Sequence, residues 1–283
     1  MAFLFLFFGM MCFGVSNCLW RDLQIKYSNF QILFARSTIT ILILIVFNLS
    51  FEGSNILTTN NAFHQFIYSL PWILTSLLGL LFFIQSVKYQ ASGLSGAVVL
   101  WSTLFGVLFS KAFDKSPLPD TFGLVIALYV TGLSLIDKNI LKASLPGRGT
   151  LMALGAGLCW ALASRGFKTG ISATNPTAFA LFQEATVLII AMTVLFYQKN
   201  FSSVNYKLSN NIFKDVMLLA LLTVGGIMGT NLALKSSTLI YFTLISAVQP
   251  ATTVIVSKFI QKEEINIRQI IGAGILILGA IIL

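Results

Sequence analysis

Two ionisable residues lie where water is scarce. Arg36 falls about six residues into the apolar run Phe30–Phe51, and Glu184 sits inside the run Thr177–Tyr197. At 1.5 Å per helical residue, Arg36 is ~9 Å along its helix axis. An ionised group at such depth costs roughly 2.5–3.5 kcal/mol on insertion scales, so each needs a reason to be there. Arg36 could bind an anionic solute group, or anchor a helix through carbonyls and a buried carboxylate. Glu184 could meet a cationic solute or carry a proton. A structural or snorkelling role is the alternative for both.

Neutral polar residues form a second group: Asn17, Gln85, Ser102, Asn231, Thr243 and Gln249. Asn and Gln in lipid need a hydrogen-bond partner, which a neighbouring helix or a solute can supply. Trp101, Trp160 and Tyr241 are the aromatic candidates for the walls of a solute cavity. Trp20 and Trp72, near the ends of their runs, read instead as interfacial-belt residues. The expected substrate-binding set is thus Asn17, Arg36, Gln85, Trp101, Trp160, Glu184, Asn231, Tyr241 and Gln249. Gly225 and Gly229, spaced i and i+4, put small residues on one helix face suited to close packing or a hinge. Pro250 removes a backbone donor, so it is expected to free a carbonyl near residue 246 and kink its helix beside Gln249.

Catalysis fits poorly. The single histidine, His64, is expected in a loop and has no Ser or Cys partner at a recognisable spacing. No metal-ligand cluster, phosphate loop or dinucleotide fingerprint occurs, so neither metal nor cofactor is expected. Cys12, Cys18 and Cys159 lie in or beside apolar runs and read as small packing residues, not as a disulfide framework. Without an ATP site, transport would run on a solute gradient, a coupled proton or ion, or exchange.

The elements that must position these residues are set by composition. Of 283 residues, 57% are hydrophobic and 10% charged, and the mean hydropathy is +0.88. A soluble domain carries roughly 25% charged residues, so the solvent of this chain is the bilayer. The net charge of +9 is scattered between apolar runs, which suits loops facing anionic headgroups and not a nucleic-acid surface. A membrane helix needs about 20 apolar residues. Runs of that kind cover Ala2–Cys18, Phe30–Phe51, Leu70–Val87, Leu94–Phe113 and Thr121–Ile136. Five more cover Thr150–Ser164, Thr177–Tyr197, Val216–Leu234, Thr238–Phe259 and Arg268–Leu283. The first run lacks the basic start of a signal peptide and reads as a retained span.

At an offset of 147 residues the halves superpose without a gap, Met1–Ile136 on Arg148–Leu283, with 137–147 as linker. All five apolar runs then coincide, Cys12 falls on Cys159, Gly132 on Gly279, and Arg36 on Gln183. An odd number of spans per repeat forces the second half to enter the membrane inverted. The expected fold is all-α and polytopic, ten transmembrane helices as two inverted five-helix repeats. That plan places a solute near the midplane between the repeats.

Local motifs add a resemblance. Cys12-Phe13-Gly14-Val15-Ser16-Asn17, Leu158-Cys159-Trp160-Ala161, and Ser246-Ala247-Val248-Gln249-Pro250 followed by Lys262-Glu263-Glu264, Gly272 and Gly279 resemble the drug/metabolite transporter superfamily, in its EamA type. The first half departs, with Trp101-Ser102-Thr103 where the second has Val248-Gln249-Pro250, and without the Glu pair. The resemblance implies a ten-helix solute carrier of a bacterial inner (plasma) membrane, often an exporter of amino acids or other small metabolites.

The resulting expectation is a non-ATP transporter of a small polar metabolite working by alternating access, with the solute, a coupled proton or ion, and lipid as partners. A flippase for a lipid-linked sugar and a non-transporting scaffold are the alternatives. Loops after the odd-numbered spans hold 12 Lys and Arg against 5 in the other loops, which places both termini outside the cytoplasm. The resemblance implies both inside. The charge count predicts that a reporter active only in the cytoplasm is silent at either terminus; activity there reverses the orientation.

Overall fold

The computed structural model describes residues 1–51, 62–90, 92–99, 101–114, 117–136, 147–201, 211–262 and 264–283. The described elements are helices, as lipid demands of backbone that must satisfy its own hydrogen bonds. They are α1 (Ala2–Lys26), α2 (Asn29–Phe51), α3 (Ala62–Tyr89), α4 (Ser92–Val99), α5 (Trp101–Asp114), α6 (Phe122–Ile136) and α7 (Arg148–Ala173). Then follow α8 (Pro176–Phe201), α9 (Ile212–Asp215), α10 (Met217–Ser236), α11 (Leu239–Ile245), α12 (Val248–Ile260) and α13 (Ile267–Ile281). Among the described residues, six helical stretches are long and apolar enough to cross a bilayer: Ala2–Lys26, Asn29–Ser50, Phe66–Tyr89, Pro176–Gln198, Met217–Ser236 and Leu239–Ile260. Phe122–Ile136 and Ile267–Ile281 are shorter apolar helices. The chain is therefore a multi-pass membrane protein.

Several helices outrun their apolar cores. α1 continues past Cys18 to Lys26 because Trp20 and Leu23 are buried on its inner face. α3 starts at Ala62, so His64 lies exposed in a first helical turn and not in a loop. Start signals are legible at α2 and α8. Ser28 and Gln31 form a reciprocal cap, with Gln31 N donating to Ser28 Oγ at 3.3 Å and Ser28 N to Gln31 Oε1 at 2.9 Å. Asn175 Oδ1 accepts from Ala178 N at 2.6 Å, and Pro176 follows at the first helical position. Asn266 caps α13 in the same reciprocal way with Gln269.

The stop in the middle of Leu239–Ile260 differs from the expectation for Pro250. The helix is interrupted at Ser246–Ala247, between α11 and α12. The Ser246 carbonyl, which Pro250 cannot serve, accepts instead from Gln249 N at 3.1 Å. A tighter i to i+3 turn thus satisfies the group that proline would have orphaned.

The most extensive interfaces pair α3 with α7, α1 with α10, α6 with α13, and α2 with α8. Each joins a helix before residue 137 to one after 147. Glycines let these helices approach. A Cβ added to Gly229 would stand 2.5 Å from the Phe5 carbonyl oxygen and 2.9 Å from Gly9 Cα, while one on Gly225 would meet Cys12 Sγ at 3.0 Å. The small face expected at 225 and 229 is therefore the seat of α1.

Three glycine contacts recur in duplicate. Gly79 lies beneath Trp160 as Gly226 lies beneath Phe13, Gly96 meets Thr253 as Gly106 meets Thr243, and Gly132 meets Leu276 as Gly279 meets Tyr129. In each case both partners of one contact are displaced by 147 positions, in opposite senses, to give the other. Overpacking at backbone-lined glycines costs about 1–3 kcal/mol. Gly229→Ala is expected to lower the melting temperature of the detergent-purified protein, whereas Gly274→Ala, with nothing within 4 Å of the new Cβ, leaves it unchanged.

Candidate functional site

The helices enclose a cavity of about 220 Å³ walled by parts of α1, α2, α3, α4, α7, α8, α10, α11 and α12. Of the residues expected in a binding set, Asn17, Arg36, Trp160, Glu184, Asn231 and Gln249 line it, and so does Pro250. Gln85 is half-buried and outside the wall, and Tyr241 is exposed at 37%. Gly225 and Gly229 face α1. Trp101 begins α5, but its side chain lies outside the described residues.

Arg36 and Glu184 face one another. Arg36 Nη2 donates to Glu184 Oε1 at 2.9 Å and to Oε2 at 2.7 Å. Ser37 Oγ accepts from the same Nη2 at 3.0 Å and donates to Glu184 Oε2 at 2.7 Å. Arg36 is 5% and Glu184 3% exposed, so the pair is withdrawn from water and strengthened by its low-dielectric surroundings. The pair ties α2 to α8. Of the two roles open to Arg36, the structure supplies the buried carboxylate.

Asn17 Nδ2 donates to Thr253 Oγ1 at 3.2 Å, joining α1 to α12. Asn231 Nδ2 donates to the Pro176 carbonyl at 3.1 Å and faces Gln183 Oε1 at 3.4 Å, joining α10 to α8. Trp160 Nε1 donates to the Ser76 carbonyl at 3.1 Å, with its ring 5.8 Å from Phe83. The cavity hydroxyls turn back on their own helices. Ser16 donates to Phe13 O, Ser164 to Ala161 O, Thr230 to Gly226 O, Thr243 to Leu239 O and Ser246 to Phe242 O, all at 2.7–2.8 Å. Phe13, Phe167 and Phe242 supply apolar wall.

Residues outside the expected set also take part, Trp20 and Gln183 in the wall and Ser37 beside the charge pair. Trp20, read as an interfacial residue, is 2% exposed and lines the cavity; the eight extra residues of α1 beyond Cys18 carry it inside. Gln183 was legible only as the counterpart of Arg36 at the repeat offset, and Ser37 only as its neighbour.

Ties join the helices at one end of the bundle. Asp215 Oδ2 accepts from Tyr27 Oη at 2.9 Å and Lys26 Nζ at 3.3 Å. These hydrogen bonds hold the Asp215 carboxyl below its usual pKa, so it is the charged partner at neutral pH. Gln24 Nε2 donates to the Ile84 carbonyl at 3.1 Å and Gln261 Nε2 to the Cys18 carbonyl at 2.6 Å. The end of α1 is thus bound to α3, α9 and α12. The cavity wall reaches the other way, to Leu234 near the end of α10 and Phe242 near the start of α11.

Residues 147–283 match the EamA-like transporter family. No curated protein matches the chain. A protein known from its crystal structure, 15% identical, superposes with a TM-score of 0.67 over 96% of this chain and 95% of its own. That likeness is one of fold.

Breaking a buried pair by removing one partner costs about 3–5 kcal/mol, while replacing both with apolar residues is often near neutral. Arg36→Met and Glu184→Leu singly are expected to lower the melting temperature sharply, and the double variant to recover most of the loss. Additive losses in that cycle would show that the two charges do not stabilise one another.

Proposed function

We propose that this multi-pass membrane protein, whose residues 147–283 match the EamA-like transporter family, is a secondary transporter of a small polar metabolite. It works by alternating access, without ATP, through two inverted repeats of five spans, 1–136 and 148–283. The observation that carries this reading is the Arg36–Glu184 pair: one charge from each half, hydrogen-bonded at the wall of a central cavity. An ionisable residue kept at that depth in a membrane is by default a candidate for a solute or ion path.

The duplicated glycine contacts support the repeat. A contact and its counterpart, related by exchanging the halves at an offset of 147, are what a pseudo-twofold pair of repeats produces. Ten spans follow if α4 with α5, and α7, also cross. α7 is 26 residues long but rich in Gly, Ala, Ser and Thr, a composition suited to a helix packed at the centre.

Alternating access finds support in the unequal ends. Ties from α1 to α3, α9 and α12 join the helices at one end, while the cavity wall extends toward the other, where Lys168 Nζ donates to the Ser237 carbonyl at 3.1 Å. Rocking one half against the other about the central pair would release those ties and close the opposite end.

In proteoliposomes, Arg36→Ala and Glu184→Gln are each expected to cut solute flux at least tenfold while the protein still inserts in the membrane. Wild-type flux in both variants would remove the pair from the transport path. The solute for that assay comes from a thermal-shift screen of amino acids, amines, nucleosides and organic acids, since a ligand of the native state raises its melting temperature by mass action.

A further inference from the structure

The donors and charges of the cavity define what it can hold. Among the described residues, Arg36 and Glu184 are the ionisable residues of its wall, and their charges cancel. Among the described residues, the polar side chains that could donate are mostly engaged, the amides of Gln183 and Gln249 excepted. The hydroxyls of Ser16, Ser164, Thr230, Thr243 and Ser246 serve carbonyls of their own helices. The Trp160 indole, Asn17 and Asn231 donate to neighbouring helices.

Arg36 is different. A guanidinium has five N–H donors on three nitrogens. All its hydrogen bonds among the described residues leave from Nη2. Nε is fully buried with no partner, and Nη1 makes no hydrogen bond yet keeps some open surface on a residue that is 5% exposed and lines the cavity. An unpaired donor on a buried charged group is expensive, about 1–3 kcal/mol or more. Glu184 and Ser37 hold Nη2 fixed, so the guanidinium plane is set and Nη1 is presented in a set direction.

We infer that the cavity takes a solute of zero net charge that presents an accepting group, a carboxylate or a carboxamide, to Nη1 of Arg36. This rests on the transporter reading and names the class of solute. A carboxylate without its own cation would leave one negative charge uncompensated beside an already neutral pair, and a lone ammonium would leave one positive; both are costly in a low-dielectric site. A zwitterion or a neutral amide adds no net charge. Solute N–H groups would find acceptors in the lone pairs of the back-bonded hydroxyls, and its apolar body would lie among Phe13, Trp160, Phe167 and Phe242. At about 220 Å³ the cavity is smaller than pockets for drug-sized ligands, which limits that body to about one ring.

Four probes of similar size separate the charge classes: 3-phenylpropanamide (neutral), phenylalanine (zwitterion), 3-phenylpropanoate (anion) and phenethylamine (cation). With the full-length protein in detergent, the two net-neutral probes are expected to raise the melting temperature at concentrations at least tenfold below those the two ions need. Arg36→Lys keeps a cation for Glu184 but removes Nε and the Nη pair; it should weaken the net-neutral probes about tenfold. If that variant does not fold, the ranking of the four probes on the wild-type protein still decides. An ion binding as well as, or better than, both neutral probes overturns the inference, as does the absence of binding by either neutral probe. Flux separates this from the parent reading. Proteoliposomes that transport only an ion refute the charge class and leave a transporter. Probes that bind in the expected order but do not cross the membrane refute transport and leave the charge class.

Discussion

A charge pair in the interior of a membrane protein is a constraint before it is a mechanism. Neither Arg36 nor Glu184 sits at its depth cheaply alone, because a buried charge stripped of its partner costs about 3–5 kcal/mol, a large share of a fold's stability of about 5–15 kcal/mol. Their meeting fixes α2 against α8, and Ser37 locks the carboxylate by donating to the oxygen that already accepts from Arg36. Once those helices are set, the other interfaces that join the halves have little freedom. α1 must seat on the glycine face of α10, and α7 on α3, for the walls of the cavity to close.

The apolar runs made the helices legible, because lipid leaves one solution for backbone and that solution has a characteristic length. Polar ends were less legible. Hydropathy stops at Cys18, yet α1 runs on to Lys26 since burial of Trp20 and Leu23 depends on helices far away in sequence. That is also why Trp20 resembled an interfacial residue and proved to be cavity wall. The ionisable residues announced themselves through their cost, but their pairing did not, for nothing local to residue 36 encodes the position of residue 184. Gln183 and Ser37 were visible only through the repeat offset or by adjacency, and Tyr241 had the right type in an exposed position. Type and depth are local properties, whereas facing direction is set by packing.

Back-bonding hydroxyls explain how a polar-looking wall stays compatible with lipid. Each Ser or Thr that donates to a carbonyl one turn earlier removes its own unsatisfied proton and leaves an acceptor behind. A cavity lined this way is asymmetric in hydrogen bonding: rich in oxygen lone pairs and poor in free O–H. Against such a background, one incompletely paired guanidinium and the amides of Gln183 and Gln249 carry the orienting power of the site.

The tie at the end of α1 has no twin. At the repeat offset Asp215 corresponds to Tyr68 and Lys26 to Ala173, so an acid–base pair at one end answers to an aromatic and a methyl group at the other. Were the halves identical, the two facings of an inverted pair would be equal in energy and equally populated. Divergence between the halves is what sets the resting ratio, and a bias of only 1.4 kcal/mol would leave about ten molecules facing one way for each facing the other. The direction in which an empty carrier waits is then written in the positions where its two copies have drifted apart.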